Sequence, residues 1–447
     1  MILKSLSKET LKTSVSFNPQ RNNLPTLVSE YGVIKKASDY EQAEGTFSEI
    51  FVSDKTFQHL KNIAFSGVND SILGYQTKKG KEQIRLKNYV GLLQTPDGKQ
   101  IEILPKTSSN SPKEARKILL KLLRALPNSP FQSLSNSHLE TSYLPIFEIF
   151  AQVFLDELEK LLTQGIGKSF ERQESNELFV RGKILINENI RRNTSQAERI
   201  YTAYDEFCAD IAPNRILKYC LIQLQKQKYS QPTQQRINRA IHIFEEVRPS
   251  QNLIQDFILA NKKSVLHTRY EQLINWSRIF ISGQSFLPFA GITPQIGLLF
   301  PMEILFENYV GKAFKKYFAE SFEVKLQDKT KFLIDSHLEK SKFRLIPDIV
   351  LEGKNDTFIF DTKWKMIDAT KSKQNYGIEQ TDLYQMYAYG KKYNAQQLFL
   401  IYPSNENFQA PLQVFDYESD MRLQIIPFDL GKKLQDWQQE LLPLITN

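Results

Sequence analysis

The stretch FIFDTKWKMID, residues 358–368, is the most informative part of the chain, because an apolar, strand-forming run ends there in an aspartate with a lysine two positions later. Side chains two positions apart on a β-strand point to the same face of the sheet. Asp361, Lys363 and Lys365 therefore share one face. A strand that is apolar until it reaches Asp361 is expected to be central in its sheet. The charged side chains then lie where a central strand emerges, which suits a cleft.

A second carboxylate comes from the segment immediately upstream, FRLIPDIVLEG, in which Asp348 follows Pro347. The residues EGKND (352–356) are typical of a hairpin turn, so the two segments are predicted to be adjacent strands with Asp348 close to Asp361. Two carboxylates that lie so close repel one another, and the arrangement favours Mg²⁺ or a similar hard cation between them.

This set of side chains suits metal-assisted hydrolysis of a phosphodiester, in which a metal polarises a phosphate oxygen and acidifies its bound water. Lys363 would either hold the attacking water or offset the charge that develops on the phosphorane-like transition state. PD at 347–348 and DTK at 361–363 together match the PD-(D/E)xK pattern of restriction-type nucleases. So short a pattern also arises by chance, and its alternative is an exposed Asp–Lys pair at a strand end.

Two flanking helical segments add candidates to this site. The segment MEILFENYV carries Glu303 and Glu307, of which Glu307 is either an extra metal ligand or part of a solvated helix face. In DLYQMYAY, Gln385 and Tyr389 are four apart and share a helix face. That Gln-x-x-x-Tyr pair resembles the nuclease branch related to the RecB nuclease domain, in which these residues line the active site or contact DNA. The alternative for Tyr389 is an aromatic ring packed on the sheet.

Composition and charge exclude several other classes of protein. A chain of 447 residues indicates two or three domains, and its net charge of +8 permits a polyanionic partner but equally describes a solvated surface. Cys208, Cys220 and five scattered histidines contain no CxxC or HxxxH spacing, so neither structural zinc nor a disulfide framework is expected. The N-terminal stretch lacks an apolar signal region, and the apolar run 286–302 is broken by prolines and Gln295. A cytoplasmic protein without a membrane segment is predicted.

Two glycine-lysine stretches imitate phosphate-binding loops. GIGKS (165–169) has Leu162 where the Walker A pattern needs a glycine, and it follows a helix rather than a strand. GYQTKKGKE (74–82) has the wrong glycine spacing and Glu82 in place of Ser or Thr. The chain is therefore not expected to hydrolyse a nucleoside triphosphate by itself.

The pattern of elements predicts an α+β multidomain protein with three parts: a β-rich domain over 1–110, a mostly helical middle region with a β-hairpin over 111–290 and an α/β domain with a mixed sheet over 291–447. In the first part, Tyr89–Gln94 and Gln100–Leu104 read as a hairpin around the turn 96–98. In the middle, Ser111 is predicted to cap a helix, a second helix spans 145–162, ELFVRGKILIN (177–187) reads as strand, and 213–260 as helices.

Beyond the motif, the chain resembles the McrC family, the nuclease subunit of the 5-methylcytosine-dependent restriction system McrBC. The likeness covers most of the chain. The segments that carry it are NYVGLLQTPDGKQIEILPK, VRGKILINENIRRN, YDEFCADIAPNRILKYCL, MEILFENYV, PDIVL, DTKWK and DLYQMYAY. By position, the resemblance assigns Asp348, Asp361 and Lys363 to the family's catalytic triad and implies a PD-(D/E)xK restriction-endonuclease-like fold for the C-terminal domain.

The resemblance also implies partners and cofactors. Members of this family dock on a hexameric AAA+ GTPase, McrB, which binds methylated DNA, so GTP would belong to the partner and Mg²⁺ to the nuclease. The N-terminal and middle regions would enter the pore of the ring and stimulate the GTPase. Arg191 and Arg192 are then either pore or phosphate contacts or plain solvated charge. Some relatives work with partners that read an unmethylated sequence, so methylation dependence stays open.

Three hypotheses remain from the sequence. The first is a Mg²⁺-dependent DNA endonuclease subunit of a McrBC-type phage-defence complex. The second is a free-standing PD-(D/E)xK nuclease that processes DNA, which the long N-terminal part without helicase motifs disfavours. The third is a non-catalytic activator of the GTPase, which the intact set Asp348, Asp361 and Lys363 disfavours.

Overall fold

The structure is a computed structural model that describes residues 25–40, 44–65, 72–95, 99–106, 111–262, 265–282, 297–354, 356–418 and 420–446. The predicted turn at 96–98, the N-terminal stretch and most of the apolar run 286–302 lie outside these residues. The strands are β1 (Thr26–Ser29), β2 (Val33–Lys36), β3 (Glu49–Val52), β4 (Leu73–Lys78), β5 (Lys81–Leu86), β6 (Tyr89–Gln94), β7 (Gln100–Leu104), β8 (Ser169–Glu177), β9 (Lys183–Ile184), β10 (Ile200–Cys208), β11 (Gly297–Pro301), β12 (Glu323–Leu326), β13 (Phe332–His337), β14 (Lys340–Arg344), β15 (Ile349–Glu352), β16 (Thr357–Thr362), β17 (Gln397–Pro403), β18 (Phe415–Glu418) and β19 (Met421–Phe428). The α-helices are α1 (Asp54–Phe65), α2 (Pro112–Leu123), α3 (Asn136–Glu140), α4 (Ile146–Thr163), α5 (Ile186–Asn193), α6 (Ala212–Gln225), α7 (Gln231–Ile243), α8 (Leu253–Ala260), α9 (Val265–Ser282), α10 (Met302–Tyr317), α11 (Gln380–Tyr393) and α12 (Leu434–Thr446), and short 3₁₀ helices span Ala37–Asp39, Pro130–Ser133 and Ser372–Gly377.

The N-terminal part contains two four-stranded sheets that share one apolar core. One sheet has the order β3-β2-β5-β4 and is covered by α1, and the other has the order β1-β7-β6-β11. The predicted hairpin of β6 and β7 is confirmed as an antiparallel pair. The class predicted from the sequence, an α+β protein with several sheets and helical regions, is therefore confirmed.

Strand β11 connects this N-terminal sheet to the C-terminal part of the chain. It pairs with β6 in antiparallel register, with Gly91 opposite Leu299 and Gly297 opposite Leu93. At Gly91 the backbone φ is +127°, and a Cβ atom would lie 2.1 Å from the carbonyl oxygen of Leu298. Only glycine fits where the two backbones approach so closely. The chain then enters α10 directly, and the amide of Met302 donates to the carbonyl of Asn88.

The middle region is mostly helical, as predicted. Ser111 caps α2 by accepting a hydrogen bond from the amide of Glu114, because a serine oxygen can satisfy one of the free amides of the first turn. The core of the region is aromatic, and the buried ring of Trp276 contacts Phe131 and Phe280.

One prediction for the middle region is wrong. Residues 177–187 were expected to form a strand, but apart from Glu177 at the end of β8 only β9, Lys183–Ile184, pairs there, and α5 begins at Ile186. Gly182 has a φ of +71° and breaks the extended run. The sheet of this region has the order β8-β10-β9, and most of its pairing is between the long strands β8 and β10. Arg191 and Arg192 consequently lie on the last turn of α5.

The C-terminal part is a six-stranded mixed sheet with helices on both faces. The strand order is β12-β15-β16-β17-β19-β18, in which β16, β17 and β19 are parallel neighbours and β15 is antiparallel to β16. On one face Phe314 of α10 packs on Phe360, with ring centroids 4.6 Å apart. On the other face Met386 of α11 belongs to the same apolar cluster as Ile359. Strand β16 is thus central and buried.

The segment FRLIPDIVLEG does not form one continuous strand. It divides into the end of β14 and the strand β15, with a break at residues 345–348, because Pro347 lacks the amide that a ladder needs. Strand β14 pairs instead with β13 in an exposed two-stranded hairpin. Among the described residues, no helix is long and apolar enough to cross a membrane.

Candidate active site

A group of polar side chains lies at the C-terminal end of β16, beside the N-terminal end of the antiparallel strand β15. The register pairs Ile349 with Phe360, so Asp348 lies one position before β15 and faces the end of β16 at Asp361. Helix α10 brings Glu307 to this edge, and α11 brings Gln385. The structure therefore brings together the sequence-predicted residues Asp348, Asp361, Lys363, Glu307, Gln385 and Tyr389.

The two aspartates are held differently. Asp348 uses its Oδ2 to accept hydrogen bonds from the amide of Thr362, at 2.7 Å, and from its hydroxyl, at 2.6 Å. Asp361 is only 2% exposed, and its Oδ2 lies 2.7 Å from Nζ of Lys363 without accepting a well-aligned hydrogen bond. One carboxylate is thus fixed by the strand, and the other carries a buried oxygen with spare capacity to accept.

Burial and mutual repulsion shift the acid–base properties of this pair. Burial, followed by the charge of Glu307, raises the pKa of Asp348 to about 7, although the hydrogen bonds from Thr362 oppose the shift. Burial and the neighbouring Asp348 raise the pKa of Asp361 to about 7. Glu307 also has a raised pKa, from burial and from Asp361. Carboxyls whose charged forms are disfavoured in this way are stabilised as anions by a cation between them.

The donor set fits a hard divalent cation. Asp348 and Asp361 offer carboxylate oxygens, and Oδ2 of Asp361 is buried without a hydrogen-bond donor aligned to it. Across the described residues, no group of three or more His, Cys, Asp or Glu side chains could hold a metal ion. The two aspartates would therefore need water or phosphate oxygens to complete the coordination, which is how Mg²⁺ is usually bound. Glu307, the further candidate ligand, accepts a hydrogen bond on its Oε1 from the side chain of Gln327.

Lys363 begins a chain of hydrogen bonds that reaches across α11. Its Nζ donates to Oε1 of Gln385 at 2.9 Å, Nε2 of Gln385 donates to the hydroxyl of Tyr389 at 2.6 Å, and that hydroxyl donates to the carbonyl of Ile346. Burial acts to lower the pKa of Lys363, but the neighbouring carboxylates, Asp361 first, act more strongly in the opposite direction. The pKa of Lys363 is therefore raised overall. Lys363 is therefore a fixed cation and a donor, not a base.

Sequence reasoning missed three contributors to the site. Asp382 lies 3.6 Å from Nζ of Lys363 and accepts from the hydroxyl of Tyr402. Thr362 clamps Asp348, and Gln327 holds Glu307. A signal existed for Asp382, since it precedes Gln385 by three positions and so shares its helix face. Glu303 lies apart from this group, bonded to the side chain of Asn88.

The raised pKa values make a prediction about stability. The unfolded aspartates lose their protons near pH 4 and the folded ones near pH 7, so the free energy of unfolding contributed by the pair falls as the pH rises through that window. Mg²⁺ competes with these protons and should raise the melting temperature more at pH 8 than at pH 6. Thermal unfolding at both pH values, with and without Mg²⁺, measures this. An equal Mg²⁺ shift in the Asp361→Asn variant would contradict the assignment of the ion to this site.

Comparison with known proteins places the chain in a family. A family model described as "McrBC 5-methylcytosine restriction system component" matches residues 84–403. A solved chain from the Thermococcus gammatolerans McrB AAA+ hexamers with bound McrC, a refined half-complex of a tetradecameric assembly, matches with a TM-score of 0.65 and 15% identity over 94% of this chain and 100% of that chain. A chain from the cryo-EM structure of the Thermococcus gammatolerans McrBC complex matches with a TM-score of 0.46 and 15% identity over 66% and 88%. No curated protein sequence matches the chain.

The matched region and the fold define a component of a restriction system. Because the family model covers more than half of the chain, the protein belongs to the McrBC family of 5-methylcytosine restriction-system components. The resemblance to McrC seen in the sequence is thereby confirmed, and the structural match at 15% identity extends it to the fold.

Proposed function

We propose that the chain is the Mg²⁺-dependent DNA endonuclease subunit of a McrBC-type restriction complex, with a PD-(D/E)xK nuclease domain over 291–447. The observation that carries the proposal is the group of Asp348, Asp361 and Lys363 at the emerging end of a central strand, in which Asp361 is buried and the other two side chains are partly buried. Two carboxylates with raised pKa values beside a fixed cation are the side chains that metal-assisted phosphodiester hydrolysis requires.

Each residue then has a role that follows from its contacts. Mg²⁺, when bound, acidifies a water molecule and polarises the phosphate. Asp348 and Asp361 would hold the ion, with Asp348 oriented by Thr362. Lys363, kept charged by Asp361 and aimed by Gln385, would stabilise the negative charge that develops on the phosphate oxygens. The hydroxyl of Tyr389 accepts a hydrogen bond from Gln385, and Asp382 lies 3.6 Å from Nζ of Lys363.

In this proposal the partner is a McrB-like AAA+ GTPase hexamer, and GTP binds to that partner alone. Residues 1–110 and 111–290 would dock on the ring, while the complex acts in the cytoplasm against phage DNA. Support comes from residues 169–208, which contain β8, β9, α5 and β10 and expose several large apolar side chains of the kind found at protein interfaces. These side chains are Phe170, Leu178, Phe179, Val180, Ile184, Ile186, Ile190 and Phe207, and the ring centroids of Phe170 and Phe207 lie 5.1 Å apart.

The hairpin of β13 and β14 supports DNA as the substrate. It leads directly into Asp348, and its side chains are almost all exposed. Lys331, Lys340 and Lys342 form no ion pair with another described residue, while of the two acidic residues of the hairpin Asp335 pairs with Lys392 and Glu339 is exposed at the turn. Free cations beside a phosphodiester-cleaving site suit the phosphates that flank the scissile bond.

Lysine substitutions in this hairpin should weaken DNA binding without changing the chemistry. We expect Lys340→Ala with Lys342→Ala to reduce the slope of log affinity against log salt by about 2, because each lysine releases counterions from one phosphate. The measurement is equilibrium binding of a short duplex without divalent metal between about 50 and about 200 mM salt. The matched control is Lys354→Ala with Lys433→Ala, since Lys354 is exposed at the opposite end of β15. Equal slopes in both variants would remove this support.

Reconstitution tests the proposed function directly. The purified chain is mixed with its McrB-like partner, GTP, Mg²⁺ and plasmid DNA in methylated and unmethylated forms. Cleavage that requires partner, GTP and Mg²⁺ is the expected result. Equal cleavage without the partner would favour the free-standing nuclease. Stimulated GTP hydrolysis with no cleavage of either DNA would favour the non-catalytic activator.

A further inference from the structure

Glu30 is a buried carboxyl that reaches the candidate active site from the other end of the chain. It follows β1, and its amide donates to the carbonyl of Leu104 at 2.8 Å. Its Oε1 accepts from the amide of Lys106, and both of its oxygens accept from Nε1 of Trp364, at 3.1 and 2.9 Å. The side chain is 1% exposed. A carboxyl that follows a strand of the N-terminal sheet therefore accepts a hydrogen bond from an indole that lies 334 residues away in sequence.

Trp364 is the residue after Lys363 in the stretch DTKWK. It is 8% exposed, and its ring packs edge-on against Phe306 of α10, with centroids 5.3 Å apart. Helix α10 also carries Glu307. The indole is thus fixed at its nitrogen by the N-terminal sheet and at its ring by the helix that borders the site.

The backbone around Lys363 has few other constraints. Strand β16 ends at Thr362, and beyond it the amide of Lys363 still donates to the carbonyl of Ile401, while the carbonyl of Lys363 accepts from the amide of Lys365. The side chain that follows Trp364, Lys365, is partly exposed and pairs with Glu379. The anchor of Trp364 is therefore the buried contact that holds the chain just past the lysine, where the sheet no longer does.

We propose that Glu30 is a positioning residue for DNA cleavage, which holds Trp364 and thereby fixes Lys363 against Asp361 and Gln385. The inference rests on the proposed nuclease function and deepens it, because it makes the N-terminal sheet a structural part of the site that cuts. A displacement of about 1 Å at a catalytic group costs up to about 100-fold in rate. An anchor next to the lysine controls a displacement of this size.

The chemistry of Glu30 defines an informative pair of variants. Burial raises the pKa of Glu30 to about 8, so near neutral pH it is a neutral acceptor. Glu30→Gln keeps an oxygen that accepts from both Lys106 and Trp364, whereas Glu30→Leu keeps the volume and accepts from neither. Trp364→Phe removes the donor and keeps a ring against Phe306. The matched control is Trp437→Phe, because Trp437 is also buried in this part of the chain and donates to the backbone of Pro427, away from the lysine.

The test measures DNA cleavage by the reconstituted complex and hydrogen exchange of the peptide that spans residues 358–368. We expect Glu30→Leu and Trp364→Phe each to lower kcat by about 10- to 100-fold with little change in KM, and to speed exchange of that peptide. Glu30→Gln should restore both readouts toward wild type. The double variant should lose no more than either single variant, because both remove the same interaction.

Several results would overturn the proposal. Additive losses in the double variant, losses equal to those of Trp437→Phe, or a Glu30→Gln variant as impaired as Glu30→Leu would each show that these residues only support the fold. Hydrogen exchange separates this failure from failure of the proposed function, since it needs no cleavage. A wild-type complex that cuts no DNA refutes the nuclease, while unchanged exchange in Trp364→Phe refutes the anchor.

Discussion

Asp361→Asn is expected to abolish DNA cleavage, lowering the rate by about 1,000-fold or more, while stimulation of the partner's GTPase stays at the wild-type level. The substitution preserves the shape of the side chain and removes the negative charge that a divalent cation needs. It also removes the buried oxygen to which no hydrogen-bond donor is aligned. The GTPase is untouched, because in the proposed complex it is stimulated by the N-terminal and middle regions and not by β16.

The same substitution should not weaken the fold. Burial and repulsion from Asp348 raise the pKa of Asp361, so its charge destabilises the metal-free protein above about pH 7. Asn removes that charge, and the melting temperature at pH 8 should equal or exceed that of wild type. The control is Asp368→Asn, a partly exposed aspartate seven residues later that accepts a hydrogen bond from the hydroxyl of Thr370. Cleavage by Asp361→Asn at the rate of this control would refute the proposed metal site.

Much of the C-terminal fold could be predicted from local patterns. Strand β16 could be predicted because an apolar run ends there in charged residues. Helix α11 could be predicted because its aromatic residues recur at i and i+4. The hairpin of β6 and β7 was equally clear, since two alternating runs flank a turn. The catalytic candidates followed from the same local logic, as Asp348 and Asp361 lie on consecutive elements.

Strands in which apolar residues do not alternate with polar ones were not predicted from the sequence. Strand β8 has the sequence SFERQESNE, in which polar residues dominate both faces, and its pairing with β10 is specified by a partner 23 to 39 residues away. The β13–β14 hairpin is exposed on nearly every residue, so no alternation of burial marks it. Its turn uses Leu338 and Glu339 at positive φ, where asparagine or glycine is the usual signal.

The long-range contacts at the site could not be predicted from the sequence, for a different reason. Nothing near Glu30 in the sequence indicates that it meets Trp364, because the contact depends on how β1 packs against the C-terminal part. The role of Glu307 was ambiguous for the same cause: a helical acid reads as solvated until its burial beside Asp348 is known. Local patterns identify which residues carry chemistry, and only the packing of distant elements shows which of them meet.

Lys363→Ala is expected to lower the cleavage rate by about 100- to 1,000-fold, the range for loss of one preorganised donor at a developing charge. Its matched control is Lys365→Ala, which removes a partly exposed lysine of the same stretch that pairs with Glu379. Single-turnover cleavage by the reconstituted complex measures both. Lys363→Arg should not restore activity, because a planar guanidinium cannot replace a compact ammonium between Asp361 and Gln385.

The metal dependence of this variant separates an electrostatic role from a ligand role. Lys363 lowers the pKa of Asp361, so its removal should raise that pKa further and lower the metal-free melting temperature more at pH 8 than at pH 6. Mg²⁺ should restore the stability of Lys363→Ala, because the aspartates remain, but should not restore cleavage. Recovery of cleavage at high Mg²⁺ would contradict a direct role for Lys363 at the phosphate and would reduce it to a counter-ion of the carboxylate pair.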